Sequence, residues 1–328
     1  MTDIDLLSEP AVHRSALAAK EFVHRLAPSQ VLLADVRPSG HDAFRAVAQW
    51  PRTRTGHDPG AAHAGRPDPL MVPETLRQLG VFLPLRYYGV DPASRLVIEE
   101  LSFVLDPAAE PTEHQSGLEI TCAAQVRRVG AAASGPPHSL ALTVELSAHN
   151  TPFARADGMA RVLSLAAYRA VRNRRKLVRE ETESAAGTDP ASCEELVAPD
   201  RVGVFNPHDV LVAVDGQGTT RIVPADPHHP FLHDHPSDHI TGVTLISAVR
   251  QAAALQRGRP ELRMISCALR ATRFTEPDPP ATVEVEESGR FEIRQEGTVT
   301  ASGEVGFEGF EGREGSEGFE RASKAEAS

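Results

Sequence analysis

The sequence predicts an α+β protein built from two similar halves. In each half, strand-like segments come first, one apolar helix follows, and further strand-like segments complete the half. Three short segments of the first half match segments of the second: VLLAD at 31–35 with VLVAV at 210–214, WP at 50–51 with DP at 226–227, and RQ at 77–78 with RQ at 250–251. The separations of 179, 176 and 173 residues indicate an internal duplication with changes in the loops.

The first half opens with two predicted strands. From Ser29, apolar and polar residues alternate on either side of a Pro-Ser-Gly turn, a pattern typical of an antiparallel pair. A helix is expected near 73–88, where Pro73 suits the first turn and leucines recur at helical spacing. Pro84 is expected to kink or end it. Further strands are expected around 96–105, 118–129, 140–146 and 158–165.

The second half repeats this order. A pair of strands with a Gly-rich turn is expected after residue 207, and an apolar helix is expected at 242–256. The strand candidates that follow are 264–274, 281–287, 290–295 and 298–307. The sequence therefore predicts one buried helix in each half.

The repeated order of strands and helix predicts four regions: a first domain at 1–168, a linker at 169–199, a second domain at 200–308 and a tail at 309–328. The tail is rich in Gly and Glu and is expected to be disordered. The linker changes from basic to acidic, which fits a solvated connector or a docking site for an acidic partner. The basic candidates for docking are Arg172, Arg174, Arg175, Lys176 and Arg179.

Composition excludes several classes of function. The net charge of −11 argues against a general affinity for nucleic acid or anionic membranes. The N-terminal sequence has no apolar segment, and no run of 18 apolar residues occurs, so we expect a cytoplasmic protein without a membrane span. The three cysteines lack metal-ligand spacing, and no nucleotide-binding glycine motif is present. We expect neither a metal nor a cofactor.

Both predicted helices carry polar groups on one face. Glu74, Arg77 and Gln78 stand at i, i+3 and i+4, which places a carboxylate, a guanidinium and an amide together. A single Glu-x-x-Arg pair is usually a weak surface ion pair. The second helix repeats the arrangement with Ser247, Arg250 and Gln251, and an arginine among its apolar neighbours needs an anion or an acceptor. Repetition therefore favours a functional face.

The segment HHPFLHDHPSDHI at 228–240 contains five histidines. Their spacing matches no standard zinc pattern, so a loop that leads into the second helix is the simpler interpretation. His235 or His239 is a candidate general base near the start of that helix; the alternative is a structural or surface role.

Four separated motifs resemble one known family. VHRS at 12–15, QWPR at 49–52, ETLRQ at 74–78 and DHPSDHITG at 234–242 are similar to motifs of the A-factor biosynthesis (AfsA-like) proteins of streptomycetes. The resemblance implies a tandem hotdog fold, in which each half is a curved antiparallel sheet wrapped around one long helix. The two sheets are expected to pair side by side.

The resemblance also implies an activity, the transfer of a β-ketoacyl group from acyl carrier protein to a hydroxyl of dihydroxyacetone phosphate. The product is a precursor of a γ-butyrolactone-type signalling molecule. Arg77 and Arg250 are then the candidates for phosphate binding, and Glu74 is the candidate base. The other expected substrate contacts are Gln78, Gln251, Ser247, His235 and His239.

One departure from the family pattern keeps other functions open. The second helix of the family usually reads E-A-x-R-Q, so Ser247 removes an expected carboxylate. A non-catalytic binding or regulatory protein of the same fold is therefore one alternative. A thioesterase or dehydratase is another, because the segment that leads into the second helix distantly resembles that of hydroxyacyl-carrier-protein dehydratases.

Overall fold

The computed structural model describes residues 17–51, 65–112, 117–129, 136–173, 194–234 and 237–309. The strands are β1 (Leu33–Gly40), β2 (Ala43–Trp50), β3 (Arg95–Leu105), β4 (Leu118–Val129), β5 (Ser139–Ala148), β6 (Thr151–Leu163), β7 (Glu195–Leu196), β8 (Val212–Val214), β9 (Thr220–Ile222), β10 (Met264–Ala271), β11 (Thr282–Val285), β12 (Arg290–Gln295) and β13 (Thr298–Phe307). The helices are α1 (Met71–Tyr87), α2 (165–173) and α3 (Gly242–Arg257).

All these strands form one antiparallel sheet with a symmetric order. The order is β1-β2-β4-β5-β6-β3-β10-β13-β12-β11-β9-β8-β7, so each half contributes one continuous part of the sheet. The halves meet where β3 pairs with β10, from Val104 opposite Ser266 to Glu100 opposite Arg270. On either side of this junction the strands follow in corresponding order, which is the expected outcome of a duplication.

Alternating burial explains why these segments form strands. In β4, Leu118, Ile120, Cys122, Ala124 and Val126 are buried and the residues between them are exposed. One face of the strand therefore points to the core, because successive side chains project to opposite faces. The helix α1 packs against β5 and β6, and α3 packs against β10 and β11.

The helices lie where the sequence places them, with one difference. The predicted ranges were 73–88 and 242–256, and the observed helices are Met71–Tyr87 and Gly242–Arg257. Pro84 does not end α1, which continues to Tyr87. Proline removes one helical N–H donor, but its own carbonyl still accepts the N–H of Tyr88 at 3.2 Å, so the last turn stays closed.

The loops that precede β1 and β8 repeat the same backbone. Each contains a short 3-10 turn, Lys20–Val23 in the first half and Pro199–Arg201 in the second, followed by a left-handed residue, His24 or Gly203. A second 3-10 turn follows in each loop, Pro28–Gln30 and Pro207–Asp209. The offset of 179 residues pairs Arg25 with Val204 and Gln30 with Asp209.

Parts of the predicted organisation lie outside the described residues. These parts are 174–193 of the linker, with four of the five basic docking candidates, the tail from 310, and His235. The domain boundaries and the disorder of the tail therefore stay predictions. Within the described ranges, no helix is long and apolar enough to cross a membrane.

Candidate functional site

The polar face of α1 is saturated by its own contacts. Glu74 is fully buried, and its Oε1 and Oε2 lie 2.8 Å from Nη2 and Nε of Arg77. Oε1 also accepts from Nε2 of Gln78 at 2.7 Å and lies 2.7 Å from Nη2 of Arg25. Both carboxylate oxygens therefore already have charged partners.

Arg25 extends this cluster across the junction between the halves. Its Nη1 donates to the carbonyl of Phe231 at 2.7 Å and to Oδ1 of Asp234 at 3.1 Å, while Oδ2 of Asp234 accepts the N–H of Leu26 at 3.0 Å. The Arg25 side chain is 4% exposed. A chain of ion pairs from Arg77 through Glu74 and Arg25 to Asp234 therefore fastens the first half to the loop that precedes α3.

These contacts decide the protonation of Glu74. Burial alone would raise the pKa of Glu74, but the guanidinium groups of Arg77 and Arg25 outweigh it and lower the pKa to about 2. A base that works near neutral pH needs an accessible lone pair and a higher pKa. The geometry of α1 therefore differs from the expected arrangement, in which Glu74 deprotonates a substrate.

Gln78 and Gln251 make identical backbone contacts in the two halves. Gln78 accepts the N–H of Leu32 at 2.9 Å and donates to the carbonyl of Gln30 at 2.8 Å. Gln251 accepts the N–H of Leu211 at 2.8 Å and donates to the carbonyl of Asp209 at 2.8 Å. Each glutamine thus ties its helix to the loop before a strand, and its amide is occupied by that task.

Arg250 on α3 lacks the partners that Arg77 has. The side chain is buried, and its Nη1 has no hydrogen-bond partner among the described residues. Ser247 stands where α1 has Glu74, and Val204 stands where the first half has Arg25. Burial lowers the pKa of Arg250 to about 10, although Asp68 raises it in part, so the group is still a cation at neutral pH.

A small cavity lies beside Arg250 and is formed by both halves. Its lining residues are Asp68, Pro69, Leu70, Val204, Asp209, His229, Leu232, Ser247, Arg250, Gln251 and Met264. The segment 68–70 comes from the first half and leads into α1. The structure therefore brings three of the predicted residues, Ser247, Arg250 and Gln251, to one cavity, and places Glu74, Arg77 and Gln78 in the separate ion-pair cluster.

The backbone at Gly203 lies close to Arg250. Its φ of 65° lies in the left-handed region, and a Cβ atom there would fall 2.0 Å from the carbonyl oxygen of Pro260. The same Cβ would fall 3.4 Å from Nη1 of Arg250. The left-handed backbone and the close approach of Pro260 therefore both favour glycine here, and the guanidinium of Arg250 lies beside it.

His239 belongs to a different cluster near α2. Its Nδ1 lies 2.9 Å from Oδ1 of Asp238, which also accepts the hydroxyl of Tyr168 at 2.5 Å. Burial lowers the pKa of His239, against the opposing effect of Asp238. Arg172, a predicted docking residue, pairs with Asp238 at 3.1 Å and with Glu276 at 2.7 Å. His239 does not line the cavity beside Arg250.

Sequence reasoning missed three residues of these clusters: Arg25, Asp209 and His229. A usable signal was present for the first two. The 179-residue offset that aligns VLLAD with VLVAV also pairs Arg25 with Val204 and Gln30 with Asp209, so it exposes the two charge changes. His229 had no such signal, because it was one of five histidines in a short segment.

Comparisons with known proteins agree with the two-part architecture. The family model of the A-factor biosynthesis hotdog domain, AfsA, matches residues 8–164 and 185–305. These segments coincide with the two parts of the sheet and confirm the tandem hotdog fold. Among solved structures, the 12:0-ACP thioesterase from Umbellularia californica aligns with a TM-score of 0.45 and 13% identity, over 83% of this chain and 100% of that chain.

Two curated relatives carry the same name, 2-oxo-3-(phosphooxy)propyl 3-oxoalkanoate synthase. The protein from Streptomyces virginiae is 29% identical over 275 residues, which is 81% of this chain and 86% of that protein. The protein from Streptomyces griseus is 29% identical over 264 residues, which is 78% of this chain and 81% of that protein. With both halves matched by the family model, the chain belongs to the AfsA family of A-factor biosynthesis hotdog proteins.

Proposed function

We propose that the protein is an acyltransferase that moves a β-ketoacyl group from a thioester to a hydroxyl of dihydroxyacetone phosphate. The name of the relatives describes an ester between a 3-oxoalkanoate and a phosphooxypropyl group, which such a transfer would form. The donor we propose is the acyl carrier protein thioester, and the ester is a precursor of a γ-butyrolactone-type signal. The observation that carries the proposal is the buried guanidinium of Arg250, whose Nη1 has no hydrogen-bond partner among the described residues.

Arg250 is the better of the two arginines for holding a phosphate. A buried cation without a hydrogen-bond partner is costly unless an anion joins it, and a phosphate offers paired, charge-assisted hydrogen bonds. Arg77 already makes two such bonds to Glu74 at 2.8 Å. Phosphate at Arg77 would have to displace that carboxylate. At Arg250, Nη1 has no hydrogen-bond partner among the described residues that a phosphate would have to displace.

The remaining predicted residues then have supporting tasks. Gln78 and Gln251 hold the loops that carry Gln30 and Asp209, so we assign them to positioning the site. Glu74 is paired with Arg77 and anchors Arg25, which fastens the two halves. The cavity volume of about 20 Å³ holds one water molecule, so entry of a phosphate ester requires the lining residues 68–70 and Val204 to move apart.

The activity is tested by incubating the protein with a β-ketoacyl thioester and dihydroxyacetone phosphate, followed by mass spectrometry. Formation of the phosphorylated ester supports the proposal. Free β-keto acid without the ester would instead identify a thioesterase. Saturable binding of dihydroxyacetone phosphate without either product would identify the non-catalytic alternative that the loss of the acid at Ser247 keeps open.

The matched variants Arg250→Lys and Arg77→Lys decide which arginine holds the phosphate. Lysine keeps the charge and loses the two-pronged hydrogen bonding, so Arg250→Lys should raise KM for dihydroxyacetone phosphate by roughly 10- to 100-fold. We expect a smaller change in this KM from Arg77→Lys, and a lower melting temperature instead. A larger KM effect at Arg77 would move the phosphate site to α1.

A further inference from the structure

The second half has a carboxylate where the first half has an amide. Asp209 and Gln30 both end a 3-10 turn, and their carbonyls accept from Gln251 and Gln78 in the same way. The two backbones are therefore equivalent, and the difference lies in the side chain. The second half has Ser247 in place of the helix acid, but it carries a carboxylate, Asp209, in the loop before β8.

Asp209 is hydrogen-bonded to His229, and both ring nitrogens of this histidine are engaged in hydrogen bonds. Oδ1 of Asp209 lies 2.7 Å from Nε2 of His229, and the Asp209 and His229 side chains are 10% and 5% exposed. Nδ1 of His229 accepts the N–H groups of Phe231 and Leu232, each at 3.1 Å. Because Nδ1 accepts, the proton of the neutral ring is on Nε2, and the histidine donates to Asp209.

This arrangement uses only one of the two carboxylate oxygens of Asp209. Among the described residues no donor reaches Oδ2 of Asp209, and both Asp209 and His229 line the cavity that contains Arg250 and Ser247. The same small space therefore holds a buried carboxylate with an available oxygen and a buried guanidinium with an available Nη1.

We infer that Asp209 is the catalytic base of the acyl transfer, that His229 is the positioning residue that orients it, and that Arg250 holds the phosphate of the acceptor in the same cavity. The inference rests on the proposed function. It assigns to Asp209 the task that the helix acid would have at position 247.

The acyl transfer needs only these groups and the two substrates. The acceptor hydroxyl oxygen attacks the thioester carbonyl carbon and forms the C–O bond, while its proton passes to Oδ2 of Asp209. The C–S bond then breaks, and the departing thiolate takes the proton, which restores the carboxylate. The products are the phosphorylated ester and the free thiol, and no oxidant, reductant or metal takes part.

The variant Asp209→Asn tests the base. Asparagine keeps the size and the oxygen that accepts from His229, but it cannot take a proton. We expect kcat to fall by roughly 10²- to 10⁴-fold, the usual range for a positioned acid or base, with KM for dihydroxyacetone phosphate changed by less than about threefold. A kcat within about threefold of wild type would overturn the assignment.

Asp226→Asn is the matched control. Asp226 lies in the same half, and within the described ranges its carboxylate accepts one local N–H, that of His228, at 2.8 Å, a bond that asparagine also accepts. We expect wild-type kinetics from this variant. Melting curves of both variants show whether a loss of activity reflects unfolding.

Two substitutions at His229 separate positioning from packing. His229→Asn keeps an acceptor for the N–H groups of Phe231 and Leu232 but loses the donor to Asp209, whereas His229→Gln can still reach Asp209 with an N–H. If the histidine acts through Asp209, the asparagine variant should shift the acid limb of the pH–rate profile to higher pH, because a donor that favours the carboxylate is lost. The glutamine variant should recover part of the rate. If the pH–rate profile does not shift in either variant, His229 has only a packing role.

The two proposals fail in distinguishable ways. If wild-type protein forms no phosphorylated ester, the proposed function is wrong. If wild-type protein forms the ester and Asp209→Asn forms it at a similar rate, the proposed function stands and the base lies elsewhere.

Discussion

The helices of the two halves carry the same arginine and the same glutamine in different electrostatic surroundings. On α1, Arg77 meets the carboxylate of Glu74, and Arg25 adds a second cation and a link to Asp234. On α3, Arg250 has a serine in place of that carboxylate and a valine in place of that second cation. The glutamine contacts are the same in both halves, so the two scaffolds agree where the charges differ.

This contrast indicates which of the two arginines can take an anionic ligand. A guanidinium paired inside the protein contributes to stability, because breaking such a pair leaves a buried charge uncompensated. A guanidinium buried without a hydrogen-bond partner is unfavourable until an anion arrives. In one half the arginine of this face is therefore paired with a carboxylate, and in the other Nη1 of Arg250 has no hydrogen-bond partner among the described residues.

The largest effect that would test this comparison is expected from Glu74→Gln. Glutamine is similar in size but leaves Arg25 and Arg77 without their carboxylate, which should destabilise the fold by roughly 3–5 kcal/mol. Measured below the lowered melting temperature, kcat should stay within about tenfold of wild type. If kcat falls by roughly 10²- to 10⁴-fold while the protein remains folded, Glu74 is the base after all.

A somewhat smaller effect is expected on acidification. The pKa of Glu74 is about 2 in the folded protein and has an ordinary value of 4.5. Because the folded pKa is the lower one, its stabilising contribution is complete above about pH 4.5 and is lost as the pH falls towards 2, at roughly 1.4 kcal/mol for each unit of pKa difference. Urea unfolding between pH 6 and 2.5 measures the slope, and Glu74→Gln should be less steep than wild type over this window. Equal slopes would contradict the ion-pair cluster.

The smallest effect concerns Ser247→Glu, which rebuilds the first half's arrangement on α3. A glutamate three residues before Arg250 should pair with it as Glu74 pairs with Arg77, and should raise KM for dihydroxyacetone phosphate by about tenfold through competition with the phosphate. Ser247→Gln is the uncharged control of equal size. Increased activity in the glutamate variant would mean that Ser247 is a decayed acid.

The fold was predictable because its signals are local and occur twice. The alternation in β4 and the helical spacing in α1 and α3 involve residues that are close together in the sequence. The matched segments indicated the duplication. The AfsA family and the tandem hotdog fold are confirmed, and the predicted activity agrees with the names of the relatives.

The site was predictable only in part because its contacts are remote. The sequence placed Glu74, Arg77 and Gln78 on one helical face, and the structure agrees. It could not show that Arg25 reaches Glu74 across 49 residues and Asp234 across 209. Those contacts depend on how the halves meet at β3 and β10, which no local pattern encodes.

The joining of both halves in one chain also removes a constraint that identical subunits face. In a symmetric homodimer, every substitution occurs at both copies of a site, so an acid removed from one helix is removed from its twin. Here β3 and β10 form the continuous centre of one sheet, yet each belongs to its own half of the sequence. A single genetic change can therefore alter one site while the other continues to hold the fold. With both halves in one chain, equivalent surfaces can differ, as the ion-pair cluster of the first half and the proposed phosphate site of the second half do.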